Sequence, residues 1–344
     1  MNLDDFNFTL PERLIAQFPL AERDQSRMMV VWRNSGKMEH LHFRDLPEIL
    51  EANQFLVMNN TRVFPARLWA CRPGKSEEIE ILLIKELNPG EWLALVRPAK
   101  KAPPGQELTI GKLTANVLEV KESGSRVVRF DAGPDLRETV EIIGEPPLPP
   151  YIRRPRGQDL VEDKIRYQTI YARHTGSVAA PTAGLHFTEN VFQRLRAKNI
   201  PTCEILLHVG YGTFQPIRSE IIEEHRMEPE YYQVDESTAE RIRKYKAEGR
   251  RLIAVGTTTT RCLEFLAKQD GLLSASEGFC DLFIYPGFEF RLLNGLLTNF
   301  HLPRSTLFML VCAFAGKERM LNCYREAVSR DYRFFSYGDC MLII

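Results

Sequence analysis

The sequence carries no net charge, no paired cysteines and no apolar run long enough for a membrane. Its 344 residues include 45 Lys or Arg and 45 Asp or Glu, which excludes the chain-wide basic coat of a histone or ribosomal protein. A confined basic face stays open, because a local excess can be offset elsewhere. The longest apolar run, Leu307 to Ala315 between Arg304 and Lys317, is about half of the roughly 20 residues a spanning helix needs. The opening MNLDDFNFTLPERL is acidic where a secretory signal is basic, so a cytoplasmic protein is expected. Seven cysteines, an odd number with no C-x-x-C pair, point to reduced thiols rather than a disulfide framework or zinc knuckle. The histidine spacings fit no H-E-x-x-H or similar site, and no metal is expected.

Hydrophobic residues at 44% and charged residues at 26% describe a folded globular chain, and its length allows about two domains. Thr9 and Glu12 fit a capping box before a short helix that ends near Pro19. Met28 to Phe43, turning at Asn34-Ser35-Gly36, reads as a hairpin. Leu46–Leu50 reads as helix and Phe55–Met58 as a buried strand. From about Asn60 to Gly144 the runs Ile79–Ile84, Trp92–Val96, Leu113–Val120 and Val127–Phe130 alternate with Gly and Pro turns, and no stretch carries a helical stripe. This predicts a small barrel or sandwich. The prolines 146, 147, 149 and 150 form a semi-rigid connector. Beyond Tyr167, strands and helices alternate: a strand at Cys203–Val209, a helix at Thr238–Ala247 capped by Ser237, and a strand at Arg251–Val255 leading into a helix from Thr258. A strand at Leu282–Tyr285, an apolar helix at Thr306–Ala315 after Ser305, a polar helix and a last strand at Met341–Ile344 complete the series. The expected fold is α/β: a mostly parallel sheet flanked by helices over residues 1–59 and 151–344, with an inserted small β-barrel domain over 60–150.

Four segments carry chemistry. Gly176 to Thr188 joins small residues and two glycines to His186, just before Thr188 caps a helix; such a loop lets backbone N–H groups approach an anion or carboxylate. A tight packed loop with His186 as a satisfied polar residue is the alternative. His208-Val209-Gly210-Tyr211-Gly212 follows a strand, where open α/β sheets bind ligands. Gln215 stands where a dinucleotide fingerprint needs its third glycine. Gly256 and Thr257 to Thr260 then open a helix with converging hydroxyls, and Arg261 adds a planar fork for a carboxylate or phosphate; plain helix capping is the alternative. Thr298 to Thr306, with Asn299 and His301, repeats the pattern of strand end, polar loop and capped helix. His225, Glu228 and Glu230 lie in an acidic stretch able to supply acid–base groups.

Basic residues cluster locally. Arg153, Arg154, Arg156, Lys164, Arg166 and Arg173 face only Asp159, Glu162 and Asp163 between Tyr151 and Gly176, and Arg97, Lys100 and Lys101 share a loop of the β block. With Tyr151, Tyr167 and Tyr171 interleaved, such a patch grips an RNA backbone and stacks on bases, unless it is only a solvated face.

Together these residues resemble the S-adenosylmethionine:tRNA ribosyltransferase-isomerase family of queuosine biosynthesis. The resemblance runs nearly end to end, through Leu10-Pro11-Glu12, Arg23-Asp24, Asn60-Thr61-Arg62-Val63, Arg97-Pro98-Ala99-Lys100-Lys101, Pro149-Pro150-Tyr151-Ile152 and Tyr167-Gln168-Thr169. It continues through the four loops above to Phe334-Phe335-Ser336-Tyr337-Gly338-Asp339. One position departs: the family usually reads His-x-Met-His-x-Glu where this chain has His225-Arg226-Met227-Glu228-Pro229-Glu230, so Glu228 holds no imidazole role.

The resemblance implies a cytosolic, monomeric enzyme without a metal or redox cofactor. It moves and isomerises the ribosyl part of S-adenosylmethionine onto 7-aminomethyl-7-deazaguanine at the tRNA wobble position, releasing adenine and methionine. His186 and His208 are then the leading acid–base candidates, followed by His225, Glu230 and Asp339. Thr182, Gly184, Gly210, Gly212, Thr257, Thr258, Arg261, Asn299 and His301 are the candidates for holding the small substrate. Arg97, Lys100, Lys101, Arg153 and Arg154 are those for tRNA. An S-adenosylmethionine-dependent RNA methyltransferase and a non-catalytic tRNA-binding protein are the alternatives.

Overall fold

The computed structural model describes residues 1–131, 136–154, 160–214, 217, 219–270 and 273–344. They form two compact units. The first comprises Met1–Arg62, Pro149–Arg154 and Arg166–Ile344; the second comprises Val63–Leu148 and a stretch ending at Ile165.

The strands begin with β1 (Arg27–Val31), β2 (Met38–His42), β3 (Gln54–Asn59) and β4 (Thr61–Val63). Six more belong to the second unit: β5 (Arg67–Ala70), β6 (Ile79–Asn88), β7 (Glu91–Arg97), β8 (Glu107–Ile110), β9 (Leu113–Val120) and β10 (Arg126–Phe130). The remainder are β11 (His174–Ser177), β12 (Thr202–Leu207), β13 (Glu230–Val234), β14 (Arg251–Val255), β15 (Ser276–Cys280), β16 (Leu293–Asn299) and β17 (Cys340–Ile343). The helices are α1 (Leu46–Ile49), α2 (Leu136–Ile143), α3 (Leu160–Arg166), α4 (Glu189–Ala197), α5 (Glu236–Ala247), α6 (Thr257–Asp270), α7 (Thr306–Ala315) and α8 (Lys317–Ser329).

In the first unit a nine-stranded sheet has the order β15-β13-β12-β3-β14-β16-β17-β1-β2. The expectation of a mostly parallel sheet is corrected: the sheet is mixed. β12, β3, β14 and β16 run parallel, as do β17 and β1. β15, β13 and β12 pair antiparallel at one edge, β1 and β2 form a hairpin at the other, and β17 opposes β16. The physical reason lies in the connections. One crossover helix returns a strand parallel, whereas the packed pair α7 and α8 between β16 and β17 reverses the chain once more. The central strands are buried on both faces, every residue of β3 and β17 included, as their unbroken apolar runs require.

Local chemistry sets most helix ends. Ser305 Oγ accepts from Phe308 N at 3.2 Å, starting α7, whose residues Phe308 to Cys312 and Phe314 are all buried. Thr188 accepts from Val191 N at 3.3 Å to cap α4. Helix α5 is capped by Asp235, which accepts from Thr238 N at 2.7 Å, and not by Ser237; a carboxylate two residues earlier wins the N-cap. The Thr9–Glu12 capping box does not form, because the short helix Glu12–Leu14 starts from Pro11 without a side-chain cap. Leu282–Tyr285 is not a strand. Ile284 is buried, and the backbone runs irregularly while its Leu282 carbonyl accepts from Arg261 Nε at 2.9 Å; the strand there is β15.

In the second unit all five pairings are antiparallel, in the order β5-β6-β7-β10-β9-β8. A bridge between Cys71 and Thr109, with N–H···O distances of 2.9 and 2.8 Å, joins the outer strands and nearly closes a barrel. Strands β5 and β8 and helix α2 carry no clear signal in the sequence. Helix α2 shows only two inward residues, Leu136 and Val140.

All seven cysteines are free, and six are buried. No helix among the described residues is long and apolar enough to cross a membrane. Phe308 is fully buried, 4.5 Å from the Tyr324 ring and 5.2 Å from Phe8. Phe308→Ala is therefore expected to lower the unfolding free energy by about 3–5 kcal/mol in urea titrations.

Candidate active site

The parallel strands β12, β14 and β16 end on one side of the sheet, and the loops that leave them enclose a cavity of about 490 Å³. Carboxyl ends of neighbouring parallel strands are where open α/β sheets collect ligands. Val209 and Thr213 come from the loop after β12, Gly256 to Thr258 follow β14, Thr298 is near the end of β16, and His301 to Ser305 follow that strand. The segment from Ala179 to Ala183 and the pair Phe335-Ser336 complete the wall with Tyr151.

Gly256 turns the chain into α6 with φ 92°, a conformation costly for any other residue. The helix N-terminus then faces the cavity with Thr257 and Thr258, offering free N–H groups. The other two hydroxyls are spent on the backbone: Thr259 Oγ1 donates to Val255 O at 2.7 Å and Thr260 Oγ1 to Gly256 O at 3.0 Å. The expected convergence of four hydroxyls is thus halved, because a threonine inside a helix bonds back to the preceding turn.

His301 is the histidine that borders the cavity. Its Nε2 lies 2.9 Å from Thr298 Oγ1, and burial lowers its pKa to about 3. His186 is buried behind that wall. Asn299 Nδ2 donates to its Nε2 at 3.3 Å, which leaves Nδ1 to donate to Ser26 Oγ at 2.7 Å. Burial lowers its pKa to about 4, with Arg23 and Arg333 adding to the effect and Asn299 opposing it. His186 opens instead onto a small crevice with Arg23 and Ser26, and Ser336 borders both spaces. His208 accepts or donates through Nδ1 to Thr61 Oγ1 at 2.8 Å, and burial followed by repulsion from His174 lowers its pKa to about 4. Gly176 packs on its imidazole so tightly that a Cβ would lie 2.6 Å from Nε2.

Glu230 and Arg261 form a buried pair at 2.6 Å, each side chain 3% exposed. Glu230 also accepts from Gly210 N at 2.9 Å and Thr213 Oγ1 at 3.0 Å, so it shapes the loop instead of lining the cavity. Asp339 is a structural acceptor for Arg27 N at 2.9 Å and Arg333 N at 2.8 Å. His225 packs edge-on against Phe283, and burial lowers its pKa. Among the expected small-substrate residues, Thr182, Thr257, Thr258 and His301 meet at the cavity. Gly184 closes against Tyr171, Gly212 against the Glu228 carboxylate, and Asn299 braces the Phe335 carbonyl at 2.9 Å. These three, with Gly210 and Arg261, stand outside the lining. Gln215, Arg156 and Asp159 lie outside the described residues.

The cationic residues fall into both units. Arg97 and Lys100 are exposed in the second, where Lys101 pairs with Glu77 at 3.0 Å. In the first, Arg153 pairs with Glu12 at 2.6 Å and Arg154 lies over the Phe18 ring at 4.3 Å.

One wall escaped sequence reasoning. Phe335 holds φ 72° and Arg304 holds φ 56°, both at the cavity. A bulky residue in that conformation stores strain that surrounding bonds must maintain. Phe335 N donates to Phe300 O at 3.1 Å, and the ring stacks on Tyr151 with centroids 4.2 Å apart. Tyr151 and Ser336 hydroxyls meet at 2.7 Å. The tight Gly338, whose Cβ would lie 2.5 Å from Arg333 O, is the sequence signal that this turn is special.

The queuosine biosynthesis protein family model matches residues 3–343. Over 346 aligned residues the chain is 49% identical to the S-adenosylmethionine:tRNA ribosyltransferase-isomerase of Pelotomaculum thermopropionicum, with both proteins covered completely. It is 48% identical, again over the full length of both, to the protein of that name from Desulfitobacterium hafniense. The crystal structure of an S-adenosylmethionine tRNA ribosyltransferase from Thermotoga maritima is 40% identical and covers 99% of this chain and 100% of its own, with a TM-score of 0.55.

Three imidazoles with lowered pKa make stability depend on pH. The unfolded chain binds more protons than the folded one between the free value near 6.5 and the folded values of about 4, 4 and 3. Unfolding free energy is therefore expected to fall as pH drops through 6.5 towards 4, and His186→Gln to flatten that slope in urea titrations at stepped pH. Arg261→Leu strands a buried carboxylate and is expected to cost about 3–5 kcal/mol, part of which Arg261→Leu with Glu230→Leu restores.

Proposed function

The chain belongs to the queuosine biosynthesis protein family and has S-adenosylmethionine:tRNA ribosyltransferase-isomerase activity, and we propose that the cavity beside α6 seats S-adenosylmethionine for it. The observation that carries this reading is the meeting of a helix N-terminus, the hydroxyls of Thr182, Thr257, Thr258 and Thr298, and a neutral imidazole around about 490 Å³. That volume suits one cofactor-sized molecule. N–H groups at the start of α6 take the methionine carboxylate, the threonine hydroxyls take the ribose, and Phe335 supported by Tyr151 gives the adenine an aromatic wall.

The reaction moves the ribosyl group to the aminomethyl nitrogen of 7-aminomethyl-7-deazaguanine at the wobble position and isomerises it to the epoxycyclopentane of epoxyqueuosine. Adenine and methionine leave. A sulfonium acidifies the neighbouring C5′–H, which lowers the strength required of the base that removes that proton, and adenine departs best when protonated. His301 faces the space and is the first candidate for the proton transfer. His186 and His208 stand one residue behind the wall, through Ser336 and Val209, and are the second. Arg97, Lys100, Lys101, Arg153 and Arg154 are the proposed tRNA contacts. The enzyme works as a cytoplasmic monomer.

The test is adenine release from S-adenosylmethionine with and without tRNA carrying the aminomethyl base. Release that requires this tRNA, with a labelled methyl group retained in methionine, is expected; label on the RNA would instead indicate methylation. His301→Ala is expected to lower the single-turnover rate by about 10²–10⁴-fold, and a rate within about threefold of the parent would remove His301 from the proton transfer. The zero charge balance leads us to expect a shallow salt dependence of tRNA binding, well below that of ten phosphate contacts at a log–log slope of about −0.7 each.

A further inference from the structure

The sheet edge next to the cavity carries two neighbouring aromatic rings, Tyr231 and Phe279, with the His208 imidazole packed behind the first. Strand alternation sends Glu230, Tyr232 and Val234 of β13 into the core and leaves Tyr231 and Gln233 on the other face. On β15, Phe279 lies directly opposite Tyr231 and Glu277 opposite Gln233. His208, at the end of β12, donates its backbone N–H to Tyr231 O at 2.8 Å. Its ring stacks on Tyr231 at 5.8 Å and 27°, and Tyr231 meets Phe279 edge-on at 5.9 Å. Over the central strands this face is buried, where Leu56 and Met58 cluster with Val191 and Leu195 of α4. At the edge Gln233 and Glu277 are exposed and Phe279 is 55% exposed.

A half-buried tyrosine beside an exposed phenylalanine on a sheet face is the kind of surface on which single-stranded RNA is bound, because splayed bases stack on aromatic side chains. The strip also ends at the cavity, since His208 is followed directly by Val209, part of its lining. A wobble base must leave the anticodon loop to reach such a cavity, and its neighbours then lie unstacked at the mouth. We propose that the face formed by Tyr231 and Phe279, with His208 packed behind Tyr231, is a stacking platform for the unpaired anticodon-loop bases flanking the modified nucleotide. The inference rests on the tRNA-modifying activity and adds a surface to it.

The test uses the full-length protein, a modified anticodon stem-loop, and the same stem-loop with 2-aminopurine at either position beside the wobble base. Tyr231→Ala and Phe279→Ala are each expected to raise KM for the RNA about tenfold, the range of one base–aromatic stack. KM for S-adenosylmethionine should stay within about twofold, as should kcat at saturating RNA for Phe279→Ala, and the melting temperature should move by no more than about 5 °C. Tyr231→Phe should behave as the parent, because the ring and not the hydroxyl is used. Quenching of 2-aminopurine by the parent and its loss in the double variant would support the platform without requiring turnover. Unchanged RNA KM and unchanged quenching would overturn it, as would a parent that self-associates through this face and becomes monomeric in the double variant. A parent that quenches 2-aminopurine but releases no adenine would instead count against the activity, so the two failures are separable.

Discussion

The buried pair of Glu230 and Arg261 holds four segments of the active centre in one arrangement. Arg261 rises from the first turns of α6, Glu230 begins β13, Gly210 and Thr213 belong to the loop after β12, and Leu282 lies in the irregular stretch that follows β15. Two charges withdrawn from water repay their desolvation only when the geometry is good and the remaining lone pairs are used. Here Glu230 accepts from three donors, so its charge is well solvated by protein. Arg261 is less complete, with Nη2 buried and without a hydrogen-bond partner among the described residues. The pair is therefore weak evidence for stability and strong evidence for registration: it fixes the position of Thr213 relative to the α6 N-terminus, both of which line one cavity.

A second constraint runs through the histidines. Desolvation is the first cause of the lowered pKa at His186, His208 and His301, so all three are neutral where the enzyme works. Neutral imidazoles suit chemistry on a cationic sulfonium, since an imidazolium nearby would oppose substrate charge and could not accept a proton. The same interior tolerates polar imbalance elsewhere: Asn299 Oδ1 is also buried without a hydrogen-bond partner among the described residues, although its Nδ2 holds both His186 and the Phe335 carbonyl. Unsatisfied atoms and two left-handed residues collect around one cavity, where strain and pre-organisation belong together.

What could be read in the sequence is local. The apolar stretch after Ser305 is a helix because its cap and its burial agree, and Arg251–Val255 is a strand because its apolar run is unbroken. Strand direction is not local. Alternation argues for parallel neighbours, yet the direction of β17 depends on two helices packing together rather than one crossing over. Leu282–Tyr285 has the composition of a strand, but its apolar side chains pack against the core without a ladder, and β15 forms from the unpromising Ser-Glu-Gly-Phe-Cys because β13 pairs with it. For the site, the loops were legible as loops, whereas which histidine faces inward was not. His186, His208 and His301 each follow a suitable small-residue or strand-end pattern. Only three-dimensional packing turns His301 to the cavity, His186 to Ser26 and His208 to Thr61.

The zero net charge takes on a specific meaning at this level. Cations that could draw in RNA are partly neutralised where they stand: Arg153 by Glu12, Lys101 by Glu77 and Arg173 by Glu204. Exposed pairs of this kind contribute little stability, but they flatten the field a polyanion meets. An enzyme that modifies one base in one loop gains little from a strong field, because every tRNA carries the same phosphates. Discrimination must come from contacts that only an unstacked base can make, which is the role proposed for the rings beside the cavity. The balance of 45 against 45 is thus consistent with recognition by shape and stacking, with charge limited to orienting the RNA.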